Sequence, residues 1–266
     1  MPLSILETPL PDHPPHPTVR ETGADVRGRF RYQDQVAAIY ALRMLEQGAP
    51  YRAMYLEWHD DFLLEKQDGK LVPVQVKTRD EHLDEVALRD ELFHGVLKGF
   101  MDKDQALGTL VSGFIFASER SVNSGLVSAT RGLLTNPLHS PRGDWKTVWD
   151  FLRQAYPTEN RESLGRRVAT VMNRIEVDRG LPRRADGMSR IVHTLANIFP
   201  LLTSRSHGDL SELARVLVNE IARRSEERYD LVAGWTLPRS DASSVSRSSA
   251  PAPCAGIGPK TTSSLC

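Results

Sequence analysis

A chain of 266 residues with 40% hydrophobic content can bury one substantial core with an appendage. Its 34 basic and 34 acidic residues cancel, so no global field draws it to nucleic acid or to an anionic membrane, and any such affinity must be local. Both cysteines, Cys254 and Cys266, lie near the C-terminal end, which excludes a disulfide framework and a cysteine-based zinc site in the core. No stretch is apolar enough for a signal peptide or a membrane span, so no membrane association and a cytoplasmic location are expected.

In chain order, residues 1–26 are rich in proline and poor in periodic apolar content, and read as a disordered leader. From Gln33 to Gln47, apolar residues at helical spacing predict the first core helix, stopped by Gly48 and Pro50. Ala53 to Glu57 reads as a strand. Asp61 then opens a short apolar run, Asp68-Gly69 signals a tight hairpin turn, and the valine-rich segment Leu71–Lys77 returns as a strand. A helix is expected from Glu85 to about Met101, although Gly95 and Gly99 interrupt it, followed by a buried strand over residues 110–118. His94 reads as a histidine at the core edge. Helices are predicted at Trp145–Gln154, Glu162–Asp178, Met188–Ile198 and Leu210–Arg224. Beyond Trp235 the composition turns to Ser, Ala, Pro and Gly without periodicity. The expected division is a leader over 1–26, an α/β core over 27–140, an all-helical extension over 141–236 and a disordered tail over 237–266.

Local charge is uneven, with acids concentrated between Glu57 and Glu91 and arginines between Arg161 and Arg190. The first region suits a cation and the second suits phosphates, with Arg166 and Arg167 as candidate DNA contacts. Within the hairpin, alternation along a strand puts Gln75 and Lys77 on one face and Val74 and Val76 on the other. The polar pair would face the acidic start of the partner strand, where Asp60 and Asp61 compete for a ligand role and Asp61, next to the apolar run, is the better placed. The His59-Asp60 dipeptide is read as incidental and Glu57 as a neighbour that orients a ligand or is simply exposed. An acid, a side-chain oxygen two residues from a lysine, and a hairpin to join them are the parts needed to cut a phosphodiester with a divalent metal.

The segments GRFRYQDQVAAIYAL, LEWHDDFLLE and VPVQVKT together resemble the PD-(D/E)XK nuclease superfamily. More narrowly, they resemble the endonuclease domain of bacterial antiphage effectors, both the cyclic-oligonucleotide-activated and the helicase-associated types. That resemblance implies a restriction-endonuclease-like mixed sheet flanked by helices. It also implies Gln33, Asp61, Gln75 and Lys77 as the catalytic set. Asp61, the Gln75 side-chain oxygen and the Val76 carbonyl would hold Mg²⁺, for which Mn²⁺ can substitute, while Lys77 positions a water or neutralises developing charge. Gln75 stands where the superfamily usually carries a carboxylate, which removes one negative charge. The implied activity is hydrolysis of double-stranded DNA in antiphage defence. The implied partners are a helicase, NTPase or sensor module, and a homo-oligomer is compatible with the pattern. The alternative is a catalytically inactive nucleic-acid-binding or assembly module of the same fold, distinguished by whether Asp61, Gln75 and Lys77 converge.

Overall fold

The hairpin sits at the centre of a five-stranded mixed sheet, seen in a computed structural model that describes residues 23–56, 61–78, 85–200 and 206–226. The strands are β1 (Tyr51–Leu56), β2 (Phe62–Lys66), β3 (Leu71–Lys77), β4 (Phe114–Ser118) and β5 (Ile175–Asp178). They lie in sequence order, antiparallel from β1 to β3 and parallel from β3 to β5. Seven α-helices accompany them among the described residues: α1 (Gly23–Arg43), α2 (Glu91–Leu107), α3 (Ser124–Arg131), α4 (Asp144–Ala155), α5 (Arg161–Met172), α6 (Gly187–Ile198) and α7 (His207–Glu226). All of these elements fall within one unit, Met1–Arg228. The expected α/β class with a helical C-terminal part is what the chain forms. No helix among the described residues is long and apolar enough to cross a membrane.

Both faces of β3 are buried, which is why its sequence is a nearly continuous apolar run. Val72, Val74 and Val76 pack with Phe62 and Leu64 under α1, α6 and α7. Phe114 and Phe116 of β4 face the other way, into a second cluster made by α2, α3, α4 and α5. The β2–β3 turn uses Gln67, Asp68 and Gly69. Lys66 N donates to Lys70 O at 2.8 Å, Asp68 Oδ1 accepts from Lys70 N at 3.0 Å, and Gly69 takes the left-handed φ of 80° that a glycine adopts at no steric cost.

Several elements differ from expectation: α1 begins at Gly23, ten residues before Gln33, and the strand expected over residues 110–118 is confined to Phe114–Ser118. The helix expected over Glu162–Asp178 ends at Met172, and Ile175–Asp178 is instead the edge strand β5, parallel to β4. The cause is tertiary: the Asn173 side chain is pinned to both the amide and the carbonyl of Leu134 at 2.9 and 2.8 Å, which ends the helix there. The part beyond residue 141 is therefore helical apart from this one strand, which completes the sheet. α2 starts at Glu91 rather than Glu85, because Val86 is bridged to the segment after β4 and Asp90 spends its carboxylate on the Ala87 amide. α3, capped by Asn123 on the Gly125 amide, was not anticipated. Residues 1–22 of the leader, Glu57, His59, Asp60 and the C-terminal tail lie outside the described residues, whereas residues 23–26, expected to belong to the disordered leader, form the start of α1.

Candidate active site

Asp61 is the residue on which the elements converge. It stands one position before β2, and the register Phe62↔Val74 brings it beside the end of β3. There its Oδ2 accepts from the Val76 amide and from Gln75 Nε2, the latter at 3.3 Å. Its Oδ1 accepts from Gln33 Nε2 on α1. Gln33 reaches this point because its neighbours Tyr32 and Val36 are buried against the sheet, which sets the rotation of α1. Tyr32 adds a tether, its hydroxyl donating to Pro182 O at 2.7 Å, and burial pushes its pKa well above the ordinary phenol value. One carboxylate thus ties the first helix to both strands of the hairpin.

Gln75 is 8% exposed, and its side chain lies on the α2 side of the sheet, where its Oε1 approaches Gly99. Lys77 closes β3 on the same side of the strand, half-buried, with its carbonyl accepting from Glu119 N at 3.1 Å. Glu119 itself is engaged by Arg184, accepting from its backbone amide at 2.9 Å and from Nη2 at 3.3 Å. Of the residues expected in the site, Gln33, Asp61, Gln75 and Val76 are brought into direct contact, and Lys77 adjoins them along β3. Arg166 and Arg167 lie elsewhere, on α5. Arg167 bonds to Glu159, reaches Gln105 at 3.1 Å and stacks on Tyr156 at 4.9 Å, while Arg166 is exposed. His94 is buried, bonded to Leu88 O at 2.9 Å, and burial lowers its pKa, as suits a core histidine.

Two further acids, the buried Glu65 and the half-buried Asp178, are structural. Glu65, inside the hairpin, is bonded by Arg52 and by the Tyr55 hydroxyl at 2.7 Å. Burial works against its charged form, but the Arg52 and Tyr55 hydrogen bonds outweigh it and hold its carboxyl below the usual range; Tyr55 is pushed up to about 12, chiefly by burial. Asp178 on β5 accepts from Tyr40 at 2.7 Å, Arg43 at 2.9 Å and the Gly180 amide at 2.8 Å, locking the edge strand to α1. Neither signal was read from sequence. Lys103 was also passed over: it is only 9% exposed on the inner side of α2, where a lysine amid Phe93, Val96, Leu97, Phe100 and Met101 is the visible clue.

Among the described residues no cluster of three or more His, Cys, Asp or Glu side chains is placed to hold a metal. The donor set is therefore one carboxylate, from Asp61, with two carboxamides and a main-chain carbonyl. These groups can offer oxygen alone, provided each amide turns its oxygen inward, and an all-oxygen set of low charge fits a hard cation that keeps several waters.

Residues 21–131 match the family model for the Cap4 dsDNA endonuclease domain. That span contains Gln33, Asp61, Gln75, Val76 and Lys77, and the match supports a nuclease effector domain there. Over 75% of its length the chain is also similar to a solved structure from Moraxella osloensis, titled as a Cap4 SAVED/CARF-domain containing receptor, at 15% identity and a TM-score of 0.45. The alignment spans 44% of that receptor's chain. None of the curated proteins matches.

Proposed function

We propose that this chain is a metal-dependent endonuclease of the PD-(D/E)XK type, hydrolysing phosphodiester bonds of double-stranded DNA in antiphage defence. The observation that carries the reading is the meeting of Gln33, Gln75 and the Val76 amide on Asp61, inside the segment that matches a dsDNA endonuclease domain. Asp61, Gln75 through its oxygen, and the Val76 carbonyl would hold Mg²⁺ or Mn²⁺. Such an ion polarises a scissile phosphate and lowers the pKa of a bound water. The chain's own residues do the rest: Gln33 fixes the plane of the Asp61 carboxylate, and Lys77 places a positive charge beside the phosphate as negative charge builds on it. A sensor, helicase or NTPase module of the same defence system would govern activation, in the cytoplasm and with scope for self-association.

The second reading, an inactive nucleic-acid-binding or assembly module, draws on the same contacts. Three N–H donors on Asp61 are also what a structural latch between α1 and the hairpin would show. Incubating the protein with supercoiled and linear plasmid over a Mg²⁺ titration, against a chelator control, separates the two. Metal-dependent nicking or linearisation is expected; DNA binding without cleavage at any Mg²⁺ or Mn²⁺ concentration would favour the inactive module.

A further inference from the structure

The strands β3, β4 and β5 run parallel, so their carboxyl ends, at Lys77, Ser118 and Asp178, form one edge of the sheet. Open α/β sheets hold their ligands outside this edge, and Lys77 brings the candidate site to it. Lys77 is in register with Ser118, and Arg120 follows two residues later. With paired strands about 4.8 Å apart and two residues spanning at most about 7 Å, the backbones of Lys77 and Arg120 lie within about 12 Å of each other. A nucleic-acid strand covers that distance in a few successive phosphates, at roughly 3.4 Å of helix axis each.

The main chain around Arg120 is fixed on both sides. Its amide donates to Ser118 Oγ at 3.2 Å, Glu119 N donates to Lys77 O at 3.1 Å, and Ser121 O accepts from Val86 N at 3.0 Å, next to the bridge between Val86 and Val122. The neighbouring acid is committed as well, since Glu119 takes the amide and Nη2 of Arg184. The Arg120 side chain is different. It is half-buried, and its Nε is shut off from solvent without a hydrogen-bond partner among the described residues. A buried donor of a charged group left unmatched costs stability, so a position that served packing alone would be better filled by an aliphatic residue. We infer that Arg120 is a phosphate-binding residue, taking a backbone phosphate of the DNA strand that passes from Lys77 along the carboxyl edge of the sheet. The inference rests on the DNA-endonuclease reading given above and extends it from the scissile phosphate to a neighbouring one. A guanidinium suits this role because its fork of N–H donors matches two phosphate oxygens, and its charge displaces a counterion. Such a contact sets the register of the duplex and carries no base preference.

The test is fluorescence anisotropy of a labelled DNA duplex with the full chain, over a range of salt concentrations and in chelator so that no cleavage intervenes. Wild type is compared with Arg120→Met and with Arg166→Met, which removes an exposed arginine on α5, and melting temperatures are taken alongside. Arg120→Met should bind roughly tenfold more weakly and flatten the slope of log affinity against log salt by about 1, while Arg166→Met leaves both unchanged. Arg120→Lys, which keeps the charge and loses the fork, should restore the slope. Without DNA, the melting temperature of Arg120→Met should stay level or rise, because the substitution removes a donor that the fold leaves unmatched. A lowered melting temperature would assign Arg120 to the fold and overturn the inference. So would an equal loss of affinity in Arg166→Met, or a wild type that binds no duplex at low salt. Unchanged affinity and slope in Arg120→Met would overturn it too, and would leave a site for a free anion if inorganic phosphate stabilises the wild type but not the variant. If the binding results hold while the wild type cuts no plasmid at any Mg²⁺ concentration, the endonuclease reading fails and the phosphate contact stands.

Discussion

At the scale of the residue, Asp61 gathers donors from the Gln33 side chain on α1, the Gln75 side chain on β3 and the Val76 amide, and in the proposed metal-dependent reading Gln75 sets the charge of the ligand set. An amide oxygen can ligate Mg²⁺ but contributes no charge, so Gln75→Glu should raise Mn²⁺ affinity roughly tenfold and shift cleavage to lower metal concentration. Equal calorimetric titrations for the two forms would take Gln75 out of the coordination set. The placement of Asp61 and Gln75 was legible because strand alternation and a two-strand register are short-range consequences of sequence, whereas Gln33, on α1, came only with the family resemblance. The burial of Gln75 against α2 was not legible, because it depends on the approach of Gly99, 24 residues away on another element. Nor could the sequence separate Asp60 from Asp61 beyond the argument that the apolar run begins after Asp61; the contacts described here belong to Asp61.

At the scale of the element, β5 shows where periodicity misleads. Leu164, Val168, Met172 and Ile175 continue one helical stripe, yet the helix stops at its C-cap Asn173, whose side chain is held by Leu134, a partner 39 residues away. The strand that results is fastened by Asp178. Burial works against the charged carboxylate, but the hydrogen bonds from Tyr40, Arg43 and Gly180 outweigh it and hold its pKa below the ordinary range. A depressed folded-state pKa means stabilisation that is complete above the unfolded value near about 3.9 and is lost as pH falls through the folded value. Asp178→Asn should therefore cost about 1–3 kcal/mol at neutral pH. The gap to the wild type should narrow in thermal melts below about pH 3.9, where the wild-type carboxylate is progressively protonated. A gap that stays constant with pH would mean that the charge of Asp178 contributes nothing.

At the scale of the whole molecule, the α/β class was legible from the alternation of helical and strand patterns, but the division near residue 140 places inside the extension elements that complete the core. β5 extends the sheet beyond β4, α6 and α7 cover the α1 side, and α5 and α4 cover α2. A chain limited to residues 27–140 would expose both clusters and should show no cooperative thermal transition, whereas one running to about residue 228 should melt sharply. A sharp transition from the shorter chain would mean that the core is self-sufficient. The central claim is that the Asp61 cluster cuts DNA rather than merely latching a helix to a hairpin. It is tested most directly by plasmid cleavage at saturating Mg²⁺ with wild type, Asp61→Ala and Lys77→Ala, each first shown by circular dichroism to be folded. Metal-dependent cleavage by the wild type, reduced at least about a hundredfold in both folded variants, is the predicted result; near-wild-type cleavage by either variant, or none by the wild type, would contradict it.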